Sequence, residues 1–109
     1  MTIHARQQDI VGFLHSQYRY FEDYAFQKNI DFRFEKSHQH ILLWFDDKQM
    51  QKVINNLLSN AFKYVSPKGR IVLSVRKADE EVLIEVTNTG NGIKPEDINR
   101  IFDRFYQAD

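Results

Sequence analysis

Two amides and one ammonium are spaced so that a helix would line them up along one side. Asn56, Asn60 and Lys63 are four and three residues apart, which places them within an arc of about 60° on a helix. A carboxamide oxygen is a neutral, hard ligand that can coordinate Mg²⁺ without adding charge to a site crowded by phosphates. An ammonium one turn further on can neutralise a phosphate oxygen. The pattern predicts a magnesium–phosphate site, although such residues beside an apolar stripe are more often a solvated flank.

A glycine-containing loop is the second candidate for chemistry. The run Asn88-Thr89-Gly90-Asn91-Gly92-Ile93 follows a predicted strand. Two glycines two residues apart let a backbone approach a ligand closely, and a polar side chain at the strand end can recognise the edge of a base. The loop lacks the Gly-Lys-Ser/Thr of a phosphate-binding P-loop and the third glycine of a dinucleotide fingerprint. By itself, such a run is more often a simple turn.

The elements that would position these residues are helices and strands in one domain. Helical periodicity and capping residues predict helices over 10–28 and 46–64, and a third starting near Pro95 that holds Ile98, Ile101, Phe102 and Phe105. Alternating or continuous apolar residues predict strands over 30–35, 41–45, 70–77 and 82–86. This order predicts an α+β two-layer sandwich, with a mixed, mostly antiparallel sheet and helices on one face.

The second helix should turn one broad apolar face to the core. That face is predicted to consist of Met50, Val53, Ile54, Leu57, Leu58, Ala61 and Tyr64. The amide and ammonium stripe then lies at the border between core and solvent.

Composition limits the classes of function. The 109 residues carry a formal net charge of zero, which weakly disfavours a nucleic-acid surface. Cysteine is absent, so a disulfide framework and thiolate metal sites are excluded. The apolar runs are too short to span a membrane, and the N-terminus does not resemble a signal peptide. These features favour a cytoplasmic location.

Taken together, three segments resemble the motifs of two-component sensor histidine kinases. Residues 46–65 resemble their N box, residues 86–93 their first glycine box, and residues 101–106 their phenylalanine box. The resemblance implies that residues 1–109 are part of the catalytic domain, with the ATP-binding sandwich shared by gyrase, MutL and related chaperones.

The resemblance also implies roles for single residues, with ATP and Mg²⁺ as cofactors. Asn60 would ligate Mg²⁺, Asn56 would support the metal or phosphates, and Lys63 would meet a phosphate. The remaining residues that would contact the nucleotide are Tyr64 beside it, Asn88 at the adenine amine, Gly90 and Gly92 in the loop, Ile93 against the base, and Arg104 near a phosphate. Phe102 and Phe105 would belong to a mobile lid.

The sequence departs from the family pattern in three ways. Asn88 stands where the family usually has Asp, so its bond to the adenine amine would lack charge assistance. The second glycine box, which cradles the phosphates, is missing. None of the histidines is followed by the Glu expected at a phosphoacceptor, and we interpret all four as surface or core residues: His4, His15, His38 and His40. A metal role for His38 and His40 is poorly supported by their spacing.

The implied function is transfer of the ATP γ-phosphoryl to a histidine elsewhere in a parent protein, and that parent is expected to be anchored in the bacterial inner membrane. The implied partners are the parent's dimerisation and phosphoacceptor domain and a response regulator, with no nucleic acid. An autonomous ATPase would need a carboxylate at position 56 to activate water. The amide of Asn56 therefore disfavours that alternative. The alternative is a degenerate or truncated module that acts only in protein interactions. The truncated domain, inactive alone, is expected to self-associate through an open sheet face and a bare edge near 70–88.

Overall fold

The computed structural model describes residues 4–89 and 98–101, and within them it contains two helices and six strands. The helices are α1 (Ile10–Gln27) and α2 (Asp47–Tyr64). The strands are β1 (Arg6–Asp9), β2 (Asp31–Lys36), β3 (Leu42–Phe45), β4 (Arg70–Ala78), β5 (Glu81–Thr89) and β6 (Ile98–Ile101).

Four of the strands form one mixed sheet in the order β2-β4-β5-β6. β2 and β4 run parallel, because α2 and β3 lie in the connection between them, whereas the β4–β5 hairpin and the β5–β6 pair are antiparallel. β1 and β3 form a separate antiparallel pair. The predicted mixed, mostly antiparallel sheet is confirmed, but the second small sheet was not predicted.

The core lies between the two helices and one face of the large sheet. Period-two alternation on β4 and β5 turns every second apolar side chain to this face: Ile71, Leu73, Val75, Val82, Ile84 and Val86 are all buried there. α1 packs on β2, α2 packs on β5, and the two helices contact each other. This arrangement matches the predicted two-layer sandwich.

Each helix begins at an aspartate that accepts hydrogen bonds from backbone amides. Asp46 accepts from Lys48 and Gln49 at the start of α2. At the start of α1, Asp9 Oδ1 accepts from Val11 N at 3.1 Å and from Ile41 N at 3.0 Å. The bonds from Val11, Lys48 and Gln49 occupy donors that a helix leaves unpaired in its first turn. The Asp9 bonds also fasten the start of α1 to the chain entering β3.

The predicted C-terminal helix is wrong for Ile98–Ile101, which forms strand β6 on the outer side of β5. An edge strand presents a row of unpaired backbone groups, and a neighbouring segment that pairs with them outweighs a short helical pattern. The expected bare edge of the hairpin is therefore occupied between Ile84 and Thr87. Phe102 and Phe105, predicted in the same helix, lie outside the described residues.

The core face of α2 is rotated from the predicted one. Phe62 is buried, whereas Val53 and Tyr64 are exposed. The Phe62 ring stacks on Phe21 of α1, with centroids 5.7 Å apart, and meets Phe32 of β2 edge-on at 5.3 Å. Because an aromatic side chain buries more apolar area than a valine, this cluster draws the helix toward α1. The opposite flank of α2 consequently faces outward.

Candidate functional site

The polar stripe predicted on α2 is present and open to solvent. Asn56, Asn60 and Lys63 are all exposed side chains of one helix. Their spacing keeps the two amides and the ammonium on one side of α2. Lys63 also lies in the last turn, where an ammonium interacts favourably with the helix dipole. The stripe can therefore meet a ligand, and part of it also has a local structural use.

An apolar strip runs between this stripe and the core. Val53 is 41% exposed, Leu57 is partly buried and Tyr64 is 68% exposed, and at about 100° per residue the three point within an arc of about 40°. The Lys63 ammonium lies 5.4 Å from the centroid of the Tyr64 ring. The exposed ring is free to pack against a ligand, as the predicted role of Tyr64 requires. Val53 and Leu57 were not predicted to border the site, although their spacing beside Asn56 and Asn60 was a usable signal.

Asn88, near the end of β5, is the only buried polar side chain among the described residues. It is 6% exposed and points to the core face, because it lies two residues after the buried Val86. Its side-chain oxygen is buried, and no described residue donates a hydrogen bond to it. Buried polar atoms are nearly always paired, and an unpaired one costs about 1–3 kcal/mol. This oxygen is thus an acceptor suited to a ligand that brings its own donor.

Asn88 and the last turns of α2 lie at the same end of the sheet. Five residues, 65–69, connect the end of α2 to the first residue of β4, Arg70. The next residue, Ile71, is paired with Asn88. The short connection and this pairing therefore bring Asn60, Lys63 and Tyr64 toward the strand end that carries Asn88. This end of the sheet thus carries a neutral amide oxygen, an ammonium, an exposed ring and a buried acceptor.

Several predicted site residues lie outside the described residues, so their positions are not assigned: Gly90, Gly92, Ile93 and Arg104. The same applies to the phenylalanine box after Ile101.

Three of the four histidines contact neighbouring side chains. His40 Nδ1 lies 2.8 Å from Asp9 Oδ2, and His38 Nδ1 lies 2.7 Å from the hydroxyl of Ser37. His15 packs against the rings of Tyr18 and Phe34. Among residues 4–89 and 98–101, there is no group of three or more acidic, His or Cys side chains arranged to hold a metal ion.

The carboxyl group of Asp9 titrates differently from a free aspartate. Partial burial raises its pKa, but hydrogen bonds from His40, Ile41 and Val11 act in the opposite direction, and the net result is a lowered pKa. The cause is stabilisation of the carboxylate by donors. The group belongs to the scaffold that holds α1 rather than to the α2 stripe.

Comparison with known proteins identifies the family. The family model described as "Histidine kinase-, DNA gyrase B-, and HSP90-like ATPase" matches residues 45–109, which is more than half of the chain. This chain belongs to that family. The match begins at the end of β3 and includes α2 and β5, the two elements that carry the candidate site.

Curated relatives of this ATPase-family chain are histidine kinases. It is 32% identical over 107 residues to Histidine kinase P4 of Formosa agariphila, covering 98% of this chain and 8% of that protein. It is 30% identical over 88 residues to the sensor histidine kinase RppB of Synechocystis, covering 81% of this chain and 19% of that protein. The chain thus spans less than a fifth of the length of these relatives.

Solved structures share the fold. The catalytic domain of the histidine kinase ThkA superposes with a TM-score of 0.77 at 24% identity, covering 86% of this chain and 64% of that chain. Full-length ShkA in complex with AMPPNP superposes with a TM-score of 0.75 at 23% identity, covering 88% of this chain and 21% of that chain. The fold is that of a histidine kinase ATP-binding catalytic domain. None of the helices that the structure describes is long and apolar enough to cross a membrane.

Proposed function

We propose that this chain binds ATP with Mg²⁺ and, within a larger protein, supports transfer of the γ-phosphoryl group to a histidine. The observation that carries the proposal is the buried, unpaired oxygen of Asn88 at the sheet end reached by the exposed α2 stripe. The amino group of adenine could donate a hydrogen bond to this oxygen. The stripe supplies the neutral and cationic groups that suit a metal-bound polyphosphate.

The α2 side chains would divide the binding work. Asn60 would offer its amide oxygen to Mg²⁺, with Asn56 one turn earlier supporting the metal or the phosphates. Lys63 would contact a phosphate oxygen, and Tyr64 would pack beside the nucleotide. Bound Mg²⁺ would supply neutralisation of the charge on the phosphates. Gly90 and Gly92 would shape the loop.

The side chain at position 56 indicates which group accepts the phosphoryl group. An amide has no useful basicity, so Asn56 cannot activate water as a carboxylate at this place could. Because ATP hydrolysis is disfavoured, the γ-phosphoryl group would instead be transferred to a side chain that another domain holds nearby. Positioning and electrostatic stabilisation then do most of the work, as is general for phosphoryl transfer.

The partners would lie outside residues 1–109. We propose a dimerisation and phosphoacceptor domain of the same protein, followed by a response regulator. ThkA has been solved in complex with the response regulator TrrA, and it superposes on this chain with a TM-score of 0.76. Several relatives are named sensor proteins, including SrrB of Staphylococcus aureus. We propose that the parent is anchored in a membrane, with this domain on the cytoplasmic side.

The test is phosphorylation of the full protein encoded by the gene, with γ-labelled ATP. Asn60→Ala should reduce incorporation of label by at least about a hundredfold, because a metal ligand that acts in the transition state is lost. Asn55→Ala is the matched control, since it makes the same substitution in α2 on a partly buried position about 140° away around the helix. It should leave most of the activity.

Equal labelling of the Asn60→Ala and wild-type proteins would refute the proposed role of the stripe. If the wild-type protein neither binds ATP nor takes up label, the alternative of an interaction module replaces the kinase proposal.

A further inference from the structure

The side-chain oxygen of Asn88 is not held by a hydrogen bond from any described residue. It lies on the sheet face formed by apolar side chains, with Val86 two residues before it and Ile71 paired opposite. No described residue pairs with its oxygen. The two ends of an amide, one donor and one acceptor, are nearly the same size and exchange places when the group rotates by half a turn. Here a ligand can select the orientation.

A carboxylate at this position would behave differently. It can only accept hydrogen bonds when ionised, so it matches the amino group at position 6 of adenine and repels the carbonyl oxygen at position 6 of hypoxanthine or guanine. An amide can make the complementary pair with either edge. With its oxygen toward the 6-amino group, its NH₂ group can reach N1 of adenine. When it is rotated, its NH₂ group can donate to a 6-carbonyl and its oxygen can accept from the N1–H.

We infer that Asn88 makes the nucleotide site tolerant at position 6 of the purine, so that 6-oxopurine triphosphates bind about as well as ATP. The inference rests on the proposed function, because it takes Asn88 to contact the base. Sites built around a fixed hydrogen-bonding group reject the mismatched analogue by about 10⁴-fold or more. An amide that can present either its oxygen or its NH₂ group to the base removes that penalty, so the expected ratio of the ATP and ITP dissociation constants lies within about tenfold.

Inosine triphosphate is the cleanest probe, because it carries the 6-carbonyl and the N1–H but lacks the 2-amino group of guanine. The experiment measures dissociation constants of ATP, ITP and GTP for the full protein, and for its Asn88→Asp variant, by calorimetry with Mg²⁺ present. The wild type should bind ATP and ITP within about tenfold of each other. Asn88→Asp should favour ATP over ITP by at least about a hundredfold.

A wild-type protein that binds ATP more than a hundredfold tighter than ITP would overturn the inference and leave ATP binding intact. Absence of binding by any of the three nucleotides would overturn the proposed function and this inference with it. If GTP alone binds weakly while ITP matches ATP, tolerance at position 6 is upheld and the 2-amino group is excluded on steric grounds. Asn88→Asp places a charge at a buried position, so circular dichroism checks that the variant is folded, and the wild-type ratio is decisive by itself.

Discussion

Asn88 and Ile71 face each other across the β4–β5 ladder, and both side chains enter the buried face of the sheet. Ile71 begins the apolar series of β4, whereas Asn88 ends the apolar series of β5 with a polar group. A polar residue in this position weakens the core locally, because its oxygen lacks a partner among the described residues. The cost is explained if a ligand completes the hydrogen bond.

The rotated core face of α2 gives a first prediction about stability. Phe62→Ala should lower the free energy of unfolding by about 3–5 kcal/mol, because it removes a ring that packs between α1 and β2. Tyr64→Ala, two residues later and largely exposed, should change it by no more than about 0.5 kcal/mol. Urea denaturation of both variants is the measurement. A larger loss for Tyr64→Ala would favour the face predicted from sequence.

The capping carboxylate of Asp9 gives a second prediction. Asp9→Ala should destabilise the protein by about 0.5–2 kcal/mol at neutral pH, because it removes the acceptor for Val11 N and Ile41 N. Asp9→Asn is the control, since its side-chain oxygen can still cap the helix without a charge. It should cost less than Asp9→Ala.

The lowered pKa of Asp9 determines how this contribution depends on pH. Its carboxylate is favoured in the folded state, so the added stability is present above the ordinary pKa of 3.8 and is lost as the pH falls through the lower folded value. The wild type should therefore lose more stability than Asp9→Asn when denaturation is repeated at about pH 5 and about pH 3. Equal losses would show that Asp9 does not contribute through its charge.

A third prediction concerns the chain of 109 residues by itself. It should neither label itself nor release phosphate from γ-labelled ATP faster than an Asn56→Ala variant, because an amide at position 56 does not activate water. Label retained on the chain, or release that depends on Asn56, would contradict the assignment of the acceptor to another domain.

Self-association of the same 109-residue chain stays a prediction. β6 occupies part of the β5 edge, but the other edge strand, β2, is paired only with β4 among the described strands. Unpaired strand edges tend to pair with other chains. Light scattering should show a mass that rises with concentration. A constant monomer mass up to the solubility limit would contradict it.

Much of the fold was predictable because its signals are local. Alternating apolar residues indicate the strands β4 and β5, and an aspartate indicates the start of each helix. Both signals can be recognised without knowing the rest of the fold. β1 could not be predicted in this way, since its polar sequence Arg6–Asp9 forms a strand only through pairing with β3. The rotation of α2 depends on Phe62 meeting two other elements, which helical periodicity does not contain.

The candidate site was also predictable only in part. The spacing of Asn56, Asn60 and Lys63 was enough to place them on one side of a helix. That Asn88 is buried with an unpaired oxygen depends on which face of the sheet the helices cover. Sequence patterns indicate alternation along a strand, but the partner layer decides which set becomes buried.

The most direct test of the account is the dependence of ATP affinity on Mg²⁺ in the full protein. We predict that Mg²⁺ tightens ATP binding to the wild type and to Asn55→Ala, and that Asn60→Ala abolishes this gain while its affinity without Mg²⁺ is unchanged. Asn88→Leu should weaken ATP binding equally with and without Mg²⁺, because it alters only the base contact. An Asn60→Ala protein that retains the full Mg²⁺ effect would contradict the proposed site.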